Sequence, residues 1–145
     1  MINLYCRHCG HCCGPYYKNR IANFNYENSH CNHVNLGLFQ CKQCFNFSIA
    51  EREDEEKWGY DDYFCTFPLK SIAEAESIFY IFNSCTRTEW CKCAVHQAVV
   101  DWLDVYGSEI SIFDRTDLIE EVKSNPLYPE WQQAWQRLIL PRSSS

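Results

Sequence analysis

Apolar positions divide the chain into a front half without helical periodicity and a back half built from apolar stripes. Over residues 1–47 no 3.6-residue repeat runs for long, and Asn, Gly and aromatic residues are prominent. Ser48 stands where it would cap a short charged helix reaching to about Lys57, polar nearly all round. Ser71 followed by Glu74 forms a capping box, and it opens Ile72, Ala75, Ile78, Phe79 and Phe82 at helical spacing. The run from Ile78 to Phe82 fits a buried strand equally well, since periodicity alone does not separate the two. The clearest helix is predicted after Thr88, with Trp90, Ala94, Val95, Ala98, Val99, Trp102, Leu103 and Tyr106 in one stripe. Gly107 is its expected left-handed stop. A short strand is predicted near Glu109 to Phe113. Thr116 then caps a helix to about Ser124, ended by Pro126. Pro129 opens a last helix that turns Trp131, Trp135 and Leu138 inward.

These elements predict an α+β fold: a small, irregular zinc-knuckle or ribbon module over residues 1–50, packed on a mostly helical part over 51–141. A disordered tail is expected over 142–145. Composition changes the reading of the first module. The chain has 145 residues and 11 Cys, and its hydrophobic fraction of 46% counts those cysteines. Seven of them fall within residues 1–47, a stretch short of aliphatic side chains, so its fold is expected to come from metal ligation. An odd cysteine count, no apolar leader at the start and no apolar run near about 20 residues lead to three expectations. They are a reducing intracellular compartment, no membrane span, and metal or redox chemistry in place of disulfides.

Spacing sorts the cysteines into clusters. Cys6-x-x-Cys9 followed by Gly10 is a tight knuckle that turns two sulfurs inward, the glycine supplying positive φ. Cys12 repeats the interval and Cys13 adjoins it. Cys41-x-x-Cys44 is a second knuckle without a following glycine; joined to Cys6 and Cys9 it completes a four-thiolate tetrahedral site. Cys31 and His33, with His30, Cys12 and Cys13, are donors for a second ion in the same half. A third cluster holds Cys85, Cys91, Cys93 and His96. Cys93 and His96 share a helix face at i and i+3, Cys91 joins from the preceding turn, and Cys85 or Cys65 completes the set. The plainer readings are a surface histidine and reduced core thiols, and Cys65, between Phe64 and Phe67, reads best as core.

Mixed Cys and His ligation favours zinc, with two or more ions expected. An iron-sulfur cluster is the alternative, because Cys6, Cys9 and Cys12 match the first three ligands of the bacterial ferredoxin run; the fourth cysteine of that run is missing. Residues 4–14, Leu-Tyr-Cys6-Arg-His-Cys9-Gly10-His-Cys12-Cys13-Gly, resemble the opening motif of the CxxCxxCC family, the YkgJ-like proteins described as zinc- or iron-chelating. That resemblance implies metal ligation by Cys6, Cys9, Cys12 and Cys13.

Catalytic zinc needs an open coordination position beside a base, and no His-Glu-x-x-His or deaminase pattern is present; a metal-dependent enzyme therefore ranks last. Residues 1–50 are net basic, with Arg7, Lys18, Arg20 and Lys42 set among tyrosines and phenylalanines, the pattern of a single-stranded nucleic-acid groove. Four cations are few against the roughly six to ten phosphate contacts of a firm binder. The acidic run over 51–62, with seven acids against two bases, helps take the whole chain to a net charge of −6. A protein partner ranks first, met through that acidic run or the Trp-rich helices. The expectation is a small intracellular zinc protein acting as a non-enzymatic adaptor or regulator.

Overall fold

From residue 22 the polar and apolar positions alternate with a period of two: Ala22, Phe24 and Tyr26 against Asn23 and Asn25, then Val34, Leu36 and Leu38 against Asn35 and Gly37. A computed structural model describes residues 3–28, 31–54, 63–85, 93–106 and 116–140. In it the alternation becomes sheet. Two short strands, β1 (Asn3–Tyr5) and β2 (Cys12–Pro15), pair antiparallel by themselves. A four-stranded antiparallel sheet follows in the order β3 (Ala22–Glu27), β4 (His33–Gln40), β5 (Phe47–Glu53) and β6 (Tyr63–Pro68). Its register sets Phe24 opposite Leu36, Leu38 opposite Ile49, and Ile49 opposite Phe67. Directly opposed residues share a face, so these side chains make one apolar surface.

Four helices contribute to the core over that surface: α1 (Ile72–Ser84), α2 (Ala94–Tyr106), α3 (Thr116–Lys123) and α4 (Tyr128–Leu138). Ser71 caps α1, its hydroxyl accepting from the Glu74 N–H at 3.1 Å. The Glu74 carboxylate reaches back one residue further than a standard box, to the Lys70 N–H at 3.3 Å. Ile78 to Phe82 is helix. All five residues are buried, because α1 lies between the sheet and its neighbours and needs no polar face there. Trp135 of α4 is 1% exposed, stacks on Phe47 of β5 at 5.4 Å and packs tilted against Phe79 of α1 at 5.2 Å. Pro129 sits in the first turn of α4, as the sequence predicts.

Four readings change. Leu138, expected to turn inward with Trp131 and Trp135, is 45% exposed at the end of α4. The helix expected from Ser48 is strand β5, and Ser48 is 1% exposed inside the sheet. Its charged neighbours misled: Glu51 lies buried on the apolar face opposite Cys65, whose thiol is 3.8 Å from the carboxylate. Pairing with both β4 and β6 satisfies that backbone, and Phe47 and Ile49 of β5 are buried in the main core, where a helix polar all round would bury little apolar surface. Residues 22–40, expected to be irregular, form strands β3 and β4, which carry much of the main core. A boundary after residue 50 falls within β5, and β6 belongs to the same sheet. The Thr88 cap, the Gly107 stop, the strand near 109–113, most of the acidic run and the tail lie outside the described residues.

The other face of the sheet carries a second, smaller core. Phe39 and Ala50 alternate with Leu38 and Ile49 and so point away from the helices, where they meet Leu4, Cys6, Cys13, Tyr16 and Cys41. Tyr16 packs edge-on against Phe64 at 5.7 Å. Arg20 crosses this face over Gly37, where a Cβ would stand 2.5 Å from the Arg20 Cδ. Its guanidinium lies 4.4 Å from the centre of the Tyr16 ring and donates to Asn35 Oδ1 at 2.7 Å. The sheet thus separates a helical core from the cysteine module. Among the described residues no helix is long and apolar enough to cross a membrane.

Candidate metal centre

Two knuckles, one between β1 and β2 and one between β4 and β5, repeat the same hydrogen bonds. In the first, Gly10 N–H donates to Cys6 O and Cys6 N–H to His11 O, both at 2.9 Å. In the second, Phe45 N–H donates to Cys41 O at 3.0 Å and Cys41 N–H to Asn46 O at 2.9 Å. The leading sulfur of each accepts from the N–H two residues on, His8 to Cys6 and Gln43 to Cys41, at 3.3 Å in both. The residue after the second cysteine is left-handed in each, Gly10 at φ 80° and Phe45 at φ 66°. The second knuckle therefore makes the turn without glycine, at a backbone cost of about 1–2 kcal/mol. His8 Nε2 lies 3.0 Å from Phe47 O and ties the first knuckle to the start of β5.

The two turns bring four sulfurs together. Cys6 and Cys44 are 3.5 Å apart, Cys9 and Cys41 are 3.6 Å apart, and all four sulfurs lie within 4.8 Å of one another. A tetrahedron with metal–sulfur bonds of about 2.3 Å has edges of about 3.8 Å, so the group is spaced as a ligand set. Cys6 and Cys41 are buried, Cys44 is half-buried and Cys9 is exposed, which puts the centre near the surface.

Charge explains why a cation suits it. Burial pushes the Cys6 thiol up to about 12, against the N–H groups of Cys9 and His8. At Cys41 burial also raises the thiol, but the N–H groups of Cys44 and Gln43 and the thiols of Cys9 and Cys44 outweigh it and bring it to about 6. At Cys9 the His11 N–H pulls down, yet burial and the thiols of Cys41 and Cys44 leave it raised. Without a metal the fold thus favours the thiolate at Cys41 and the neutral thiol at Cys6 and Cys9. A divalent ion would let all four ionise. If all four bound one ion, no position would be left for substrate, the closed form of a structural site.

The other predicted donors divide. Cys13 is buried beside this centre; burial, then the neighbouring Cys41 and Cys6, push its thiol up to about 12. Cys12 is exposed, and neither joins the four sulfurs. Cys31 and His33 stand exposed at the β3–β4 turn. The eight residues of β4 separate them from Cys41 by roughly 25 Å, so they do not share an ion with Cys12 and Cys13. An extended strand, invisible to cysteine spacing, undoes that grouping. Cys85 and His96 do meet, Sγ to Nδ1 at 3.0 Å, and the His96 N–H donates to Cys93 Sγ at 3.3 Å. Cys65 faces Glu51 instead. Cys91 and His30 lie outside the described residues. Sequence reasoning missed Phe45 and Asn46 as turn residues; their offsets from Cys41, matching those of Gly10 and His11 from Cys6, are the signal that finds them.

Comparison with family models, with curated proteins and with solved structures returns no match.

Proposed function

We propose that this is a zinc-stabilised, non-enzymatic adaptor or regulator of a reducing intracellular compartment, its ion held by Cys6, Cys9, Cys41 and Cys44. The observation that carries the reading is the closed set of four sulfurs, which supports a shape-giving ion and offers no place for substrate. The resemblance of residues 4–14 to the CxxCxxCC family agrees at Cys6 and Cys9. Zinc is favoured over iron because the ferredoxin run is incomplete. The bound ion would lock together two exposed knuckle tips bearing Arg7 and Lys42, a rim suited to an acidic protein segment.

Elemental analysis of protein purified under reducing conditions tests the metal. Zinc is expected at this site and lost in Cys41→Ser; inorganic sulfide with brown absorbance would overturn it. Replacing Arg7 and Lys42 by Glu is expected to leave zinc content unchanged and abolish partner cross-linking. Salt-dependent binding of a single-stranded oligonucleotide, lost in the same variant, would put nucleic acid in the partner's place.

A further inference from the structure

Two donors that the four-cysteine centre does not use, Cys85 and His96, meet where α1 ends and α2 begins, and Cys93 stands three residues before His96. Cys85 terminates α1 in extended backbone, at φ −120° and ψ 91°, and is 5% exposed. Cys93 immediately precedes α2, its sulfur accepting from the His96 N–H at 3.3 Å, which aims the thiol along the first turn. His96 follows in that turn, 2% exposed, with Nδ1 3.0 Å from Cys85 Sγ and its ring stacked on Phe24 of β3 at 4.9 Å.

We propose that Cys85, Cys93 and His96 hold a second zinc ion, independent of the first. Zinc bonded to sulfur at about 2.3 Å and to nitrogen at about 2.0 Å spans roughly 3.5 Å between the two donors, so a separation of 3.0 Å needs to open by only about half an ångström. A thiol on one helix end facing a Cys and a His at i and i+3 on the next is the arrangement by which an ion clamps a helix start. The clamp also has a mechanical purpose. Over residues 94–103, α2 buries Val95, His96, Val99 and Leu103. A bond through the ion to α1, with the imidazole seated on Phe24, would fix α2 to both helix and sheet.

The competing reading is a Cys–His dyad serving the cleft of about 230 Å³ that Cys85 lines with Ile21, Asn23, Phe82 and Asn83. Burial of both reacting atoms disfavours it, because a nucleophile must be reached.

Metal content of the full chain, with and without single substitutions, decides. Two zinc ions per chain are expected in the wild type, one in Cys41→Ser, one in His96→Ala and none in the double variant. His96→Cys is expected to keep two, while the cobalt-substituted protein gains thiolate-to-metal absorbance, so the site remains testable if alanine prevents folding. One ion per chain, lost in Cys41→Ser and unaffected by His96→Ala, would overturn this inference and leave the proposed function standing. One ion lost only in His96→Ala would do the reverse. Rapid iodoacetamide labelling of Cys85 in native, metal-loaded protein would likewise overturn it in favour of the dyad.

Discussion

At the level of single residues, the two left-handed knuckle positions differ in how they meet the same demand. Gly10 stands in open space, so a side chain there meets no clash and only the backbone resists. Gly10→Ala is expected to cost about 1–2 kcal/mol in denaturant unfolding, and Gly10→Asn clearly less, since Asn tolerates this region. Equal costs would mean that the conformation is not the constraint. The thiols make a second prediction, for metal-free, reduced protein. Cys41 is lowered from 9.0 to about 6 in the fold, so its thiolate contributes stability fully present above pH 9 and lost as pH falls toward 6. Cys6 and Cys13 are raised from 9.0 to about 12, so their contribution is present below pH 9 and lost as pH climbs above it. Urea midpoints should therefore rise from pH 6 to 9 and then decline. Cys41→Ser should flatten the rise; an unchanged slope in that variant would sink the assignment.

At the level of elements, β1, β2 and the knuckles stand on the small core around Leu4, Tyr16, Phe39 and Ala50, while β3 to β6 share the larger core with the helices. Removing one exposed ligand separates these contributions. In Cys9→Ser, amide exchange is expected to accelerate at least about tenfold over residues 3–15 and 41–47, with little change at Phe24, Leu36, Ile49 and Ile78. Uniform acceleration would mean that the ion supports the whole fold. For α1, Ser71→Ala removes the hydroxyl that accepts from Glu74 N–H and should cost about 1 kcal/mol in thermal or chemical unfolding.

For the whole molecule, the aromatic cluster of Phe47, Trp135 and Phe79 joins sheet, first helix and last helix. Trp135→Ala is expected to cost about 3–5 kcal/mol, enough to threaten the fold, as read by near-ultraviolet circular dichroism and the unfolding midpoint. Leu140, after α4, is held differently. Gln40 of β4 accepts from Leu140 N–H at 2.7 Å and donates to Leu140 O at 3.1 Å, a paired contact across 100 residues.

Cysteine spacing alone picks out Cys6, Cys9, Cys41 and Cys44, because a knuckle is a local turn whose geometry is written in a few neighbouring residues. Local chemistry likewise announces the Ser71 cap and the proline in the first turn of α4. Strands β3 to β5 escape notice because their hydrogen bonds lie in other strands. Asn and charged residues depress strand propensity there, and only the paired register restores it. Tertiary structure alone decides that Ser48 is buried in a strand and that β4 holds Cys31 and His33 away from Cys12 and Cys13. It also sets Cys85, and not Cys65, beside His96. Each depends on contacts outside the residue's own local segment, set by which faces pack together.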